Sequence, residues 1–176
     1  MADGTIETLR SHVRDVPNFP KPGITFKDIT PLLADPPALR GAIDLLAAPF
    51  RDARPDVVVG IESRGFIFGA ALAIELGAGF VPVRKPGKLP HVTERAEYEL
   101  EYGRDAVEIH KDAFVRGARV LVVDDVIATG GTAKAACDLV ARLGGDTIGA
   151  AFLIELPVLA GRARLEPVPV VSVLQY

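Results

Sequence analysis

Two adjacent acidic residues end an apolar run and are followed by a short turn rich in glycine and threonine. Asp124 and Asp125 come after Val120–Val123, and residues 129–132 read T-G-G-T. Ligands of open α/β sheets bind beyond the carboxyl ends of the strands, and a turn that opens a helix presents N–H groups and a positive dipole end to an anion. The turn is therefore suited to a phosphate, and the carboxylates to sugar hydroxyls or to a magnesium ion held through water. The spacing predicts a site for ribose 5-phosphate.

Other interpretations of this stretch fit the residues less well. A Walker loop needs G-x-x-x-x-G-K-[ST], and no lysine follows Gly130 and Gly131 in the required place; the dinucleotide fingerprint G-x-G-x-x-G is absent from the sequence. A plain structural interpretation stays open, in which Asp124 caps the turn and Asp125 is solvated. Two acids combined with the T-G-G-T turn favour the sugar-phosphate site over it.

Strands and helices alternate along the chain, and this order must position the acids. Periodicity and capping signals predict helices over 5–14, 36–50, 66–76 and 133–143. Apolar or alternating runs predict strands over 56–60, 80–84, 97–102, 106–110, 120–124, 147–154 and 168–174. The alternation predicts one α/β domain over residues 1–176, built on a mostly parallel sheet flanked by helices.

The segment 84–102 interrupts this pattern. An irregular basic stretch that contains prolines precedes the strictly alternating run EYELEY at 97–102. Such alternation is typical of a strand with one apolar and one charged face. We therefore expect a projecting two-stranded arm with a basic tip, outside the core.

Composition excludes several classes of protein. Apolar residues make up 49% of the chain, charged residues 24%, and the net charge of −3 argues against bulk attraction to nucleic acid or anionic lipid. The first residues are too polar for a signal peptide, and no apolar run approaches the roughly 18 residues of a membrane span. A single cysteine, Cys137, excludes an internal disulfide framework and a cysteine-rich zinc site. We expect a cytoplasmic protein.

The stretch Val120–Thr132 resembles the phosphoribosyl-diphosphate-binding motif of the type I phosphoribosyltransferases. The resemblance implies their fold, a mostly parallel twisted sheet flanked by helices, with a projecting flexible hairpin at about 84–103 and an N-terminal hood at about 1–35. It implies that Asp124 and Asp125 hold the ribose hydroxyls, and that Mg²⁺ lies near them, bound through substrate and water without a direct protein ligand. The implied 5-phosphate loop consists of Ala128, Thr129, Gly130, Gly131 and Thr132.

Other segments are similar to the members of this family that act on adenine. These segments are 18–33, 60–69, 84–103 and the ending SVLQY. Members that act on 6-oxopurines usually carry a carboxylate where this chain has Ala128. The resemblance implies that Phe26 stacks on adenine, that the backbones of Thr25 and Lys27 read its amino edge, and that Ile127 covers its other face. Taken alone, Phe26 could equally belong to a small core.

The segment 60–69 is similar to the diphosphate loop of the family. Arg64 there could grip a diphosphate with its planar fork of donors, beside Glu62 and Ser63. A G-x-S-x-G nucleophile elbow is a poorer match, because Ile61 replaces the first glycine and Ser63 has no evident histidine partner. The resemblance also implies that diphosphate meets three residues of the arm, Lys85, Lys88 and His91. For Lys88 a solvated hairpin residue is an open alternative, and for His91 a solvent-facing position is one.

The resemblance assigns catalytic roles to four residues: Glu101, Tyr102, Arg64 and Lys85. Glu101 matches the carboxylate that handles the proton of the base, with Tyr102 next to it. Glu97 and Glu99 share the face of Glu101, so the residues alone do not choose among the three.

The implied reaction is Mg²⁺-dependent transfer of the phosphoribosyl group of 5-phosphoribosyl 1-diphosphate to adenine, which gives AMP and diphosphate in purine salvage. The family is usually homodimeric. Two alternatives stay open: transfer to another base, such as xanthine or a 6-oxopurine, and a regulator that keeps the sugar-phosphate site and binds nucleic acid. The regulator would need a basic face or an added DNA-binding element, against which the net charge of −3 argues.

Overall fold

The structure is a computed structural model that describes residues 2–100 and 103–176. The chain forms two compact units, Met1–Leu45 and Leu46–Tyr176. One domain over the whole chain stays a prediction. None of the helices in the described ranges is long and apolar enough to cross a membrane.

The first unit combines three helices with a small antiparallel ladder. Its elements are α1 (Ala2–Ser11), β1 (Arg14–Pro17), β2 (Thr25–Asp28), α2 (Thr30–Ala34) and α3 (Pro36–Ala47), whose last residues begin the second unit. The predicted helix over 5–14 ends three residues early, because Arg14 pairs with Asp28 at the start of β1. Asp35 caps the start of α3, since its Oδ1 accepts a hydrogen bond of 2.8 Å from the N–H of Ala38.

The second unit is built on a five-stranded sheet. Its elements are β3 (Val57–Ile61), α4 (Gly65–Leu76), β4 (Gly79–Val83), β5 (Thr93–Leu100), β6 (Gly103–His110), β7 (Arg119–Ile127), α5 (Gly131–Arg142), β8 (Asp146–Glu155) and β9 (Val170–Gln175). The strand order is β4-β3-β7-β8-β9, and all four pairings are parallel. This confirms the predicted mostly parallel sheet. Because β3 and β7 are neighbours, the turns that follow them meet at one edge of the sheet.

The central strands are buried on both faces, as a helix-covered parallel sheet requires. Val58 and Val59 of β3, and Leu121 and Val122 of β7, are fully buried. Short 3₁₀ helices at Ala48–Phe50, Pro157–Leu159 and Gly161–Leu165 complete the unit. The sheet is therefore a rigid base for the loops at its carboxyl edge.

The hairpin of β5 and β6 differs from the predicted arm in two respects. The strands pair from Thr93 and His110 to Leu100 and Gly103, so the basic segment lies before β5 and is not the tip of the hairpin. The alternation of β5 is present, but its inward face joins the core next to α5: Ala96, Val107 and Ile109 are at most 2% exposed. The expectation of an arm outside the core is therefore wrong. Alternation shows which side is apolar and does not show what packs against it.

Candidate active site

Two cavities share a wall at the carboxyl edge of the sheet. The smaller has a volume of about 90 Å³ and is lined by residues 124 and 126–133. The larger has a volume of about 470 Å³ and is lined by Glu62, Ser63, Arg64, Lys85, Asp124, Asp125, Val126, Ala128 and Thr132. The structure thus brings the predicted phosphate loop, both acids and the predicted diphosphate loop into one region.

The smaller cavity is formed by the turn between β7 and α5. Gly130 has a φ of +79°, in the left-handed region that favours glycine, and its carbonyl accepts the first helical bond of α5 from Lys134 N at 2.9 Å. The turn therefore folds the backbone over the N-terminus of a 12-residue helix. The N–H groups of the first helical turn and the helix dipole suit this cavity to a phosphate.

The sequence predicts that the strand ends at Asp124, but both acids lie within β7. Pairing with β8 continues as far as Ile127 and Glu155, so the strand extends three residues past Asp124. Asp124 is half-buried and lines both cavities, whereas Asp125 is 4% exposed and lines the larger one. Burial raises the pKa of Asp124 well above its ordinary value, and the adjacent Asp125 raises it further.

Arg64 connects the predicted diphosphate loop to the acids. Its Nε lies 2.5 Å from Oδ2 of Asp125. Asp125 Oδ2 is buried and has no hydrogen-bond partner in the described ranges. The contact with Arg64 is therefore a close ion pair that is not aligned as a hydrogen bond. The carboxylate therefore keeps an acceptor that a sugar hydroxyl or a cation-bound water could use.

Gly65, which the sequence pattern does not single out, allows the two loops to approach each other. A Cβ at Gly65 would lie 2.8 Å from Oδ1 of Asp124. Gly65 is the first residue of α4, directly after Arg64. A larger residue would push Asp124 away from the diphosphate loop. The available sequence signal was a glycine at the point where a predicted loop becomes a helix.

Glu62 is surrounded by donors from the basic segment. Its carboxylate accepts hydrogen bonds from Lys88 Nζ at 2.7 Å, Lys85 N at 3.0 Å and Arg84 Nε at 3.3 Å. Burial alone would raise the pKa of Glu62, but these bonds outweigh it and lower the pKa to about 2. Glu62 therefore fixes the start of the basic segment beside the larger cavity. Lys88 contacts Glu62 but lines neither cavity, so its role towards diphosphate stays a prediction.

Lys85 is held in its cationic form by two residues of the hairpin. Its Nζ donates to Tyr98 Oη at 2.8 Å and to the carboxylate of Asp105. Burial would lower the pKa of Lys85, but the hydrogen bonds to Asp105 and Tyr98 raise it. A positive side chain therefore forms part of the wall of the larger cavity.

Not all predicted site residues meet at these cavities. The imidazole of His91 is 63% exposed, lies 3.8 Å from Asp112, and does not line either cavity. Ile127 lines the smaller cavity but is 2% exposed and belongs to the core. Val126 is half-buried and lines both cavities, so the strand alternation of β7 presents Val126 to the site. The roles given to His91 and Ile127 stay predictions.

The residues predicted to contact the base are only partly described. Thr25, Phe26 and Lys27 form β2 in the first unit, where the Phe26 ring meets Phe19 edge to face at 5.2 Å and Lys27 Nζ lies 2.6 Å from Asp15. Their predicted contacts with the base stay predictions. Glu101 and Tyr102 lie outside the described residues.

The sheet, the phosphate-binding turn and the neighbouring cationic loop define a phosphoribosyltransferase, and residues 28–174 match the model of the phosphoribosyl transferase domain. An adenine phosphoribosyltransferase from Sorangium cellulosum is 55% identical over 180 residues, which cover 99% of this chain and 90% of that protein. The crystal structure of the Rhodothermus marinus adenine phosphoribosyltransferase is 58% identical, with a TM-score of 0.95 and 99% of each chain covered. The Saccharomyces cerevisiae enzyme, complexed with an imino-altritol bisphosphate and adenine, is 43% identical, with a TM-score of 0.93 over 98% of this chain and 99% of that one. The chain belongs to the adenine phosphoribosyltransferases of this family.

Replacing Glu62 with glutamine is expected to reduce the dependence of stability on acidic pH. Because the folded-state pKa of about 2 lies below the ordinary value of 4.5, ionised Glu62 stabilises the fold above pH 4.5, and this stabilisation is lost as the pH falls towards 2. The contribution is at most about 3 to 4 kcal/mol, since the pKa falls from 4.5 to about 2 and one pKa unit corresponds to about 1.4 kcal/mol. Urea unfolding at pH 7 and pH 3 measures it.

Glu75→Gln is the matched control, because Glu75 also pairs with an arginine, Arg51, at 2.9 Å, and lines neither cavity. If Glu62→Gln and the parent lose the same free energy of unfolding between pH 7 and pH 3, the assigned network is wrong.

Proposed function

We propose that this chain transfers the 5-phosphoribosyl group of 5-phosphoribosyl 1-diphosphate to adenine with Mg²⁺, giving AMP and diphosphate for purine salvage in the cytoplasm. One observation carries the proposal: Asp124 lies on the wall shared by a cavity suited to a phosphate and a cavity lined by Arg64 and Lys85. A ribose between the two would place its 5-phosphate in the smaller cavity and its diphosphate in the larger. The adenine bound to the S. cerevisiae relative supports the choice of base.

The rate would depend on charge stabilisation and positioning. Cleavage of the bond between ribose C1 and the diphosphate oxygen builds positive charge on the sugar and negative charge on the leaving group. Arg64 and Lys85 would stabilise the leaving group, and preorganised cations in a partly buried site do so without reorganisation. Glu101 would accept the proton that adenine loses at N9 as it attacks.

The acids fit a magnesium ion held through substrate and water. Mg²⁺ prefers oxygen ligands and usually keeps several waters, and Asp125 offers a buried oxygen without an aligned donor. In the described parts of the chain, no three His, Cys, Asp or Glu side chains are placed to hold a metal by themselves. When bound, the ion would neutralise charge on the diphosphate.

The base is proposed to lie against Val126. This side chain lines both cavities, whereas the neighbouring Ile127 is 2% exposed. An apolar surface of this kind suits the flat face of a purine. Ala128 carries no carboxylate that could bind a 6-oxopurine.

A homodimer is part of the proposal. Ile74 of α4 is 85% exposed, Ile67 on the same helix is 41% exposed, and Phe80 on the edge strand β4 is 37% exposed. Phe80 packs against Phe66 of α4, so these apolar side chains lie on neighbouring elements. Exposed apolar groups at a sheet edge favour association. Sedimentation velocity is expected to give the mass of a dimer, and the mass of a monomer would contradict this part of the proposal.

The purified chain is expected to convert adenine, and not hypoxanthine, guanine or xanthine, when each is incubated separately with 5-phosphoribosyl 1-diphosphate and MgCl₂. Chelation by EDTA is expected to lower the rate by about 100-fold or more, because the ion contributes several kcal/mol of charge stabilisation. Added MgCl₂ restores it. Chromatography of the nucleotide products measures both effects. Equal conversion of hypoxanthine would overturn the choice of base, and full activity in EDTA would overturn the role of Mg²⁺.

A further inference from the structure

The phosphate-binding turn is in direct backbone contact with the 3₁₀ helix Gly161–Leu165. A Cβ on Gly161 would overlap the carbonyl oxygen of Ala128 and lie 2.8 Å from Gly130 N, and a Cβ on Gly130 would overlap the carbonyl of Gly161. Neither position has room for a side chain. The backbones at Gly130 and Gly161 therefore fix each other's position, although the two residues are more than thirty positions apart in the chain.

Arg162, next to Gly161, anchors this 3₁₀ helix to the sheet. Its guanidinium donates from Nε to Glu155 Oε1 at 2.9 Å and from Nη2 to Oε2 at 2.6 Å, which is a bidentate ion pair. Nη1 also donates to the carbonyl of Val170 at 2.6 Å. At the other end of the short helix, Leu165 is 1% exposed in the core. The position of Gly161 is therefore set by contacts on both sides.

Glu155 completes a polar network behind the turn. It is the last residue of β8, is 5% exposed, and lies beside Ile127, the residue that precedes the turn. Its Oε2 also accepts hydrogen bonds from Ser172 Oγ at 2.5 Å and Gln175 Nε2 at 3.3 Å, both on β9. Glu155 and Arg162 line neither cavity. A buried, fully bonded carboxylate is costly to disturb, so the network is stiff.

We propose that Gly161, Arg162 and Glu155 are positioning residues that hold the turn Ala128–Gly130 in its phosphate-binding conformation. The inference rests on the 5-phosphate site of the proposed function. Gly161 packs against the phosphate turn, and the hydrogen bonds of Arg162 and Glu155 join this contact to β8 and β9. Loss of the network therefore weakens binding of ribose 5-phosphate more than binding of diphosphate, although none of the three residues lines either cavity.

The test compares two ligands on the same set of variants. Calorimetry with ribose 5-phosphate and with inorganic diphosphate is applied to Gly161→Ala, Arg162→Met, Arg162→Lys and Glu155→Gln. Gly79→Ala is the control, because a Cβ there would lie 3.7 Å from its nearest neighbour, which is ordinary contact. The Kd of ribose 5-phosphate is expected to rise about 10- to 100-fold in Gly161→Ala and Arg162→Met, since remote displacements of about 1 Å can have such effects. Arg162→Lys keeps the positive charge and loses the planar guanidinium that makes the bidentate ion pair. Its Kd for ribose 5-phosphate is expected to lie between the values of these variants and that of the parent.

If the three residues had a purely structural role, their replacement would weaken the binding of both ligands together or of neither. An unchanged ratio of the two affinities in all four variants therefore overturns the proposal. Should Gly161→Ala fail to fold, Arg162→Lys and Ser172→Ala carry the comparison, since each removes part of the network at a half-buried or exposed position. Failure of the parent to bind ribose 5-phosphate is a different result, because it overturns the proposed function itself.

Discussion

Arg64→Met is expected to lower kcat about 100- to 1000-fold, the range seen when one preorganised donor is removed from a site that stabilises developing charge. Arg64 lines the larger cavity and its side chain is 40% exposed, so it can reach a ligand there. Methionine keeps most of the aliphatic length and removes all the guanidinium donors. Steady-state kinetics at saturating adenine and 5-phosphoribosyl 1-diphosphate measures the loss.

The same substitution also affects the fold, and controls must separate the two effects. Asp125 is 4% exposed and would lose its ion-pair partner, which is expected to reduce the free energy of unfolding by about 1–3 kcal/mol. Arg64→Lys keeps a positive charge near Asp125 and loses the planar set of guanidinium donors. Its free energy of unfolding is therefore expected to be closer to that of the parent than its kcat is. Arg51→Met removes a surface partner of Glu75 and serves as the control. A kcat of Arg64→Met within threefold of the parent would remove Arg64 from the mechanism.

The sheet and the phosphate turn could be predicted because both depend on short local patterns. Val120–Val123 is a β-branched and apolar run, and Gly130 and Gly131 stand where the chain must turn into a helix. The alternation of such runs with helices indicates a parallel sheet. Neighbouring strand ends then bring Arg64 close to Asp125, although sequence alone gives neither their distance nor the ion pair.

Contacts between distant segments explain what the sequence could not show. The strand β7 extends past the acids because β8 continues to pair with it, and this extension presents Val126, not Ile127, to both cavities. Gly161 has no local signal at all, because its importance comes only from the backbone of Ala128 against which it packs. The hairpin joined the core for a similar reason: its partner α5 follows β6 by some twenty residues.

Combined replacement of Asp124 and Asp125 by asparagine is expected to raise the Kd of ribose 5-phosphate by about 100-fold or more, because a hydrogen bond to a charged group contributes about 1.5–3 kcal/mol. Both carboxylates line the larger cavity, and Asp124 also lines the phosphate cavity. Inorganic phosphate is the discriminating ligand. It needs only the turn, so its affinity is expected to stay within about threefold, or to rise slightly as the nearby negative charge is removed.

The double variant is expected to remain folded, and the pKa of Asp124 supplies the reason. A carboxyl whose pKa is raised by burial and by a neighbouring acid favours its protonated form, so its ionisation at neutral pH opposes folding. Asparagine removes that cost and keeps the shape of the side chain.

Asp138→Asn is the control, because Asp138 lies on α5 and pairs with Lys134 on the exposed side of that helix. Calorimetry that finds ribose 5-phosphate and phosphate weakened equally, or neither weakened, would show that the acids do not hold the sugar. The unequal loss is expected because Asp124 and Asp125 offer acceptors where hydroxyls need them, while the anion is bound by backbone N–H groups that asparagine leaves in place.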